Sequence, residues 1–202
     1  MNDRFLHFAY GSNMLARRLT AADRAPSAKE MSIGYVPGHR FTFDKRSSMD
    51  GSGKGDMLKT DVATDLVYGV VFSIARADEA SLDEKEGYRA GSKTGYGKAT
   101  VTVITPDGPE DAIAYIARVT EPSVPFHWYK AFVVAGAVEH NLPAPYVEWL
   151  RTFPSLPDSD AARRSENEGL LFANGFFKPK ARGRQRATKR QVILRNVRRK
   201  KT

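Results

Sequence analysis

The sequence predicts an α+β fold, a mixed and barrel-like sheet with short helices packed around it. Three observations carry that prediction. Strand-like runs outnumber helical ones, the helical runs are short, and strands and helices do not alternate regularly as a parallel α/β sheet requires. A chain of 202 residues, 41% of them hydrophobic, makes one domain with a core large enough to need no staples.

The elements follow in order. Phe5 to Ala9 is a short apolar strand that runs into Tyr10-Gly11-Ser12-Asn13, and Met14 to Leu19 reads as one or two helical turns. Met31 to Asp44 suits a strand pair broken at Pro37-Gly38, and Arg46 to Gly55, rich in Ser and Gly, reads as a mobile loop. Leu66 to Ile74 is a strong strand, and Ala77 to Glu86 is a short helix that Gly87 stops. Tyr96 to Thr105 alternates as a strand, Pro106-Asp107-Gly108-Pro109 turns, and Asp111 to Arg118 returns as the second arm of a hairpin. Phe126 to His140 has helical length and periodicity and ends at Asn141-Leu142-Pro143, and Ala144 to Phe153 is one more helix.

Beyond Phe153 the pattern decays. The expected organisation is a domain over residues 1–154 and an extension over 155–177, whose apolar stretch Gly169 to Phe177 is able to pack on the body. A basic, flexible tail over 178–202 follows. Twelve of the 32 Lys and Arg and none of the 23 Asp and Glu fall in 178–202, which leaves 20 basic and 23 acidic residues in 1–177. The net charge of +9 is therefore a property of the tail. A tail of this kind is expected to make weak, salt-sensitive contacts with nucleic acid or another polyanion. It has no aromatics for stacking on bases.

The chain has no cysteine, which excludes disulfides, thiolate metal sites and a cysteine nucleophile and fits a cytoplasmic protein. No secretion signal is expected, and the longest apolar stretch, Ala131 to Val138, is far too short for a membrane span.

Two segments carry candidate chemistry. Tyr10-Gly11-Ser12-Asn13 joins a strand to a helix start through a glycine turn, which presents backbone N–H groups to an anion. The loop lacks the length and the lysine of a nucleotide-binding loop, so a carboxylate suits it better than a triphosphate; a plain capped turn is the other reading. Glu86 falls in the last turn of the acidic helix Ser81-Leu82-Asp83-Glu84-Lys85-Glu86-Gly87. The negative helix end and Asp83 one turn back disfavour its ionised form, as a general acid/base near neutral pH requires. The other reading is a solvated charged face.

Taken together, Phe8-Ala9-Tyr10-Gly11-Ser12-Asn13-Met14 and, about 70 residues on, Ser81-Leu82-Asp83-Glu84-Lys85-Glu86-Gly87 resemble the γ-glutamylcyclotransferase family. Tyr68-Gly69-Val70-Val71-Phe72, Tyr96, Tyr115, Tyr129-Lys130 and His140-Asn141-Leu142-Pro143 extend the resemblance over residues 5 to 150. The resemblance implies the γ-glutamylcyclotransferase-like fold. It also implies an amide-cleaving lyase, an internal acyl transfer, that releases 5-oxoproline when the α-amine of a γ-glutamyl group attacks its own γ-carbonyl. Glu86 is then the acid/base, Tyr10, Gly11, Ser12 and Asn13 bind the substrate, and Tyr96, Tyr115 and Tyr129 wall the pocket and offer hydroxyls. Glu84, two residues away, faces elsewhere. Each tyrosine read by itself is equally a core aromatic.

No cofactor or metal is implied. The substrate is a small γ-glutamyl compound: a γ-glutamyl amino acid, glutathione, a γ-glutamyl amine or a γ-glutamyl-protected natural product. A homodimer is compatible with the resemblance, although nothing in the sequence demands one. One departure is the link Gly87 to Gly95, which is longer than the family's and makes Tyr88 an alternative to Tyr96. The alternative function is a non-catalytic γ-glutamyl- or carboxylate-binding module with a polyanion-binding tail. Arg17 and Arg18 are read as a solvated face, with attraction of an anionic substrate as the other reading.

Overall fold

The structure, a computed structural model, describes residues 3–172. The apolar 173–177 and the basic 178–202, with the tail expected there, lie outside the described residues.

The described strands in chain order are β1 (Arg4–Ala9), β2 (Lys29–Pro37), β3 (His39–Arg46), β4 (Gly53–Lys59), β5 (Leu66–Ala75), β6 (Tyr96–Thr105) and β7 (Gly108–Ala117). Five of them close a barrel in the order β1-β5-β2-β6-β7. β1 lies antiparallel to β5 from Arg4↔Ala75 to Ala9↔Val70, and β6 and β7 form the expected hairpin from Tyr96↔Ala117 to Thr105↔Gly108. A parallel seam, His7 opposite Ile113, shuts the barrel. Phe8, Val67, Val70, Val71, Ile74, Val103 and Ala114 are wholly buried, so the apolar content of these strands fills one continuous core.

The strands on either side of Pro37-Gly38 do not pair with each other. β2 belongs to the barrel, whereas β3 leaves it and pairs with β4 in a separate two-stranded sheet. The segment read as a mobile loop is the tight end of this hairpin. Ser47 N–H donates to Ser52 O at 2.9 Å and Gly51 N–H to Ser47 O at 2.9 Å. Lys54 Nζ meets Asp50 at 2.8 Å, with both side chains largely buried. Ser, Asp and Gly here close a turn by local side-chain bonding, and composition alone does not separate that from mobility.

The helices are short. A 3-10 turn (Ser12–Met14) runs into α1 (Ala16–Leu19), and a second one (Arg76–Asp78) into α2 (Glu79–Glu86), which the fully buried Leu82 anchors. Gly87 ends α2 in the left-handed region at φ 66°, as a residue without a Cβ does readily. α3 (His127–Glu139) and α4 (Ala144–Thr152) complete the predicted helices. α3 packs against the first 3-10 turn, and Gly136 allows the approach: a Cβ there would lie 2.5 Å from Leu15 N and 2.6 Å from the Met14 carbonyl carbon. His140, at the end of α3, adds a tie from its Nε2 to Met14 O at 2.8 Å.

The sequence reading has no counterpart for α5 (Ala161–Phe172). Its inward face is slight, with Leu171 at 3% exposure beside the partly buried Leu170, so apolar periodicity is a weak signal there. Polar contacts hold it instead. The buried Asp158 accepts from Trp128 Nε1 of α3 at 2.9 Å and from Arg163 Nε and Nη2 of α5 at 2.7 and 2.6 Å. Asp160 Oδ1 caps the helix by accepting from Arg163 N–H at 3.0 Å. The Arg163 guanidinium holds the Asp158 carboxyl well below the usual carboxylate range.

Candidate active site

The site is built where β1 ends. Its strand register delivers Tyr10 to Asn13 to the mouth of the barrel, and the packing of Gly136 on Met14 and Leu15 holds the turn there. Met14 and Leu15 N–H groups bond to Gly11 O and Ser12 O at 3.1 and 3.3 Å. The N–H groups of Gly11, Ser12 and Asn13 form no hydrogen bond among the described residues. The turn is only three residues long, so the donors themselves, and not a helix dipole, are what it offers an anion.

Glu86 comes to the same place from the end of α2. Its Oε1 accepts from Asn13 Nδ2 at 2.8 Å, and Arg24 Nη1 stands 3.4 Å from the same oxygen. The Glu86 side chain is 18% exposed and Arg24's 12%, so this is a sheltered carboxylate and not a solvated face. Asp83, expected to press on Glu86, is engaged elsewhere: Tyr115 Oη donates to it at 2.6 Å and Lys98 Nζ pairs with it at 2.8 Å. Glu84 is exposed.

The structure brings all eight sequence-selected residues into one pocket. Tyr10, Gly11, Ser12, Asn13, Glu86, Tyr96, Tyr115 and Tyr129 line it, with His7 and Gly55 among the others. Tyr96 enters the pocket and Tyr88 does not; Tyr88 lies outside, under Lys98 Nζ at 5.0 Å. The phenols are tied down. Tyr10 Oη donates to Tyr115 O. Tyr96 Oη donates to Gly55 O at 2.5 Å, and Tyr129 Oη accepts from Gly55 N–H at 3.1 Å. Burial raises the pKa of all four tyrosines, so they are neutral donors across the physiological range.

Three neighbours of the site escaped the sequence reading, and a fourth, Arg18, was placed on a solvated face. Gly55 lies in the stretch read as a loop, yet both its backbone groups are gripped by tyrosines. Arg24 precedes β2 with no motif around it. Arg18 is half-buried, with Nε 3.2 Å from Ser12 Oγ and its guanidinium 5.0 Å over the Phe132 ring. Burial lowers its pKa to about 10. His7, inside the apolar run of β1, is 2% exposed. The one signal for it was a polar residue in a core strand. Among the described residues no group of three or more His, Asp or Glu is arranged to hold a metal ion.

The chain and its fold have known counterparts. The pattern of the AIG2-like family matches residues 66–150. The γ-glutamylcyclotransferase of Homo sapiens is 32% identical over 157 residues, covering 73% of this chain and 77% of the human protein. That of Bos taurus is 32% identical over 158 residues, covering 73% and 78%. A solved structure named γ-glutamyl cyclotransferase superposes with a TM-score of 0.71 at 26% identity, over 82% of this chain and 99% of the other. The chain belongs to the γ-glutamylcyclotransferase family, a class of enzymes.

Proposed function

We propose that this protein releases 5-oxoproline from a γ-glutamyl amide, with Glu86 as the general acid/base. The observation that carries this reading is the bond from Asn13 to Glu86, which sets the carboxylate beside the free amides of the turn, inside a pocket of neutral phenols. In this reading the amides of Gly11, Ser12 and Asn13 bind the substrate's α-carboxylate. The bent γ-glutamyl group then presents its amine to its own carbonyl, so the ring closes as an intramolecular step. Glu86 takes the proton that the amine loses as the new C–N bond forms. It returns that proton to the departing nitrogen as the old amide bond breaks. The products are 5-oxoproline and a free amine.

The hydroxyls have different parts. Those of Tyr10, Tyr96 and Tyr115 already donate to Tyr115 O, Gly55 O and Asp83. Tyr129 accepts from Gly55 N–H and keeps its own proton for an oxyanion. The leaving group is a small amine such as an amino acid or the rest of glutathione, and the setting is the cytoplasm. No described helix is long and apolar enough to cross a membrane. The segment 178–202 adds weak polyanion contact.

The test is a 5-oxoproline assay with γ-glutamyl dipeptides, glutathione and γ-glutamyl amines. The wild type is expected to release it and Glu86→Gln to be about 100- to 10,000-fold slower, the usual share of a general acid/base. A folded wild type that binds these compounds and releases nothing would instead favour a carboxylate-binding module.

A further inference from the structure

Two buried side-chain atoms lining the pocket have no hydrogen-bond partner among the described residues: His7 Nε2 and Asn13 Oδ1. Both are acceptors. His7 Nδ1 lies 3.0 Å from Ile113 O, and a carbonyl only accepts, so Nδ1 carries the ring proton and Nε2 the lone pair. Burial lowers the His7 pKa and keeps the ring neutral, in keeping with that tautomer. Asn13 spends its Nδ2 on Glu86, which leaves Oδ1 as a second free lone pair. The Glu86 carboxylate is a third acceptor lining the same pocket, and the charged one.

We propose that His7 Nε2, with Asn13 Oδ1 and Glu86, receives the α-ammonium of the γ-glutamyl substrate. This rests on the function proposed above. An ammonium has three N–H donors, and the pocket offers it two neutral acceptors and one anionic acceptor. Glu86 withdraws one proton and passes it to water; the two N–H groups that remain match His7 and Asn13, and the lone pair lies away from both. Glu86, unprotonated again, then takes the proton that the amine loses as the ring closes. His7 thus selects a free α-amine and orients the nucleophile, and a γ-glutamyl group acylated at that amine is excluded.

The experiment pairs γ-glutamyl-L-alanine with glutaryl-L-alanine, which keeps the terminal carboxylate and the γ-carbonyl and lacks only the amine. If another γ-glutamyl amide is the better substrate, its glutaryl counterpart replaces the second compound. His7→Asn retains a donor for Ile113 O and removes the pocket acceptor; His7→Gln restores an acceptor near the Nε2 position. His7→Asn is expected to lower kcat/KM about 10- to 100-fold, the range of a bond to a charged group, with the glutaryl Ki unchanged. His7→Gln should recover part of the loss.

A wild-type kcat/KM in His7→Asn overturns the proposal. So does a glutaryl Ki that weakens in the same proportion as kcat/KM, because a structural role affects both compounds. If the wild type forms no 5-oxoproline from any compound, the reaction itself is refuted, and the pair is compared by calorimetry. A preference for the γ-glutamyl compound that His7→Asn abolishes then supports the ammonium site, and equal binding of both by the wild type overturns it.

Discussion

Asn13 Nδ2 donates to Glu86 Oε1 at 2.8 Å across 73 residues of chain. This bond joins the turn after β1 to the last residue of α2. Asn13→Ala removes the bond that aims the carboxylate and leaves Arg24 to hold it from one side. Its kcat is expected to fall about tenfold, in line with the loss of a bond to a charged group. Asn13→Asp sets a second carboxylate against the first and is expected to lose more. Steady-state 5-oxoproline release, measured beside circular dichroism to show that both variants fold, checks the order.

The two phenols on Gly55 make a different prediction. Tyr96→Phe removes the donor to Gly55 O, and Tyr129→Phe removes the acceptor for Gly55 N–H. Each leaves a buried backbone group unpaired, at a cost of about 1–3 kcal/mol. Both variants should therefore unfold at lower denaturant concentration. Tyr129→Phe should also lose activity beyond what its stability explains, because the Tyr129 hydroxyl, unlike that of Tyr96, donates no hydrogen bond among the described residues. Equal activity in the two folded variants would contradict that assignment.

Gly136→Ala tests how the loop is held. A methyl group 2.5 Å from Leu15 N must push the turn off α3. Overpacking of this kind costs about 1–3 kcal/mol. Chemical denaturation should show the loss, and the folded variant should have a raised KM, because the displaced turn carries Gly11, Ser12 and Asn13.

Asp158 gives a pH dependence whose sign is fixed. Its folded pKa is depressed by Arg163, so it contributes stability above the ordinary carboxylate pKa and loses it as pH falls below that value. Asp158→Asn is expected to melt below the wild type at pH 7, and the gap should shrink between about pH 4 and pH 2. Thermal melts of both proteins over that range check it. A gap that stays constant with pH would remove the carboxylate charge from the account.

The barrel strands and the four predicted helices were legible because each has a strong local signature. Tyr96 to Thr105 alternates along its length, and Gly87 marks the end of α2. The eight selected residues were legible through their resemblance to a family, since spacing alone left Glu86 on an ordinary charged helix. What sequence could not carry were groups whose role depends on distant partners. Gly55 matters through its two backbone bonds, Arg24 through a carboxylate 62 residues away, and α5 through a single buried aspartate. Arg18 was misjudged for the opposite reason: an arginine beside another arginine resembles a solvated face until Phe132 and Ser12 are seen beneath it.

The barrel closes through β1 against β7, at His7 and Ile113, so its first strand waits for its last. The Tyr10–Asn13 turn depends for its walls on strands far along the chain: Tyr10 and its pocket neighbour Tyr115 stand 105 residues apart. A chain that stops before β7 contains the glycine loop and Glu86 and can pair β1 with β5, but it lacks the seam that closes the barrel. Contacts this far apart in sequence also form slowly. The pocket is therefore complete only once β7 and α3, which carry Tyr115 and Tyr129, are in place.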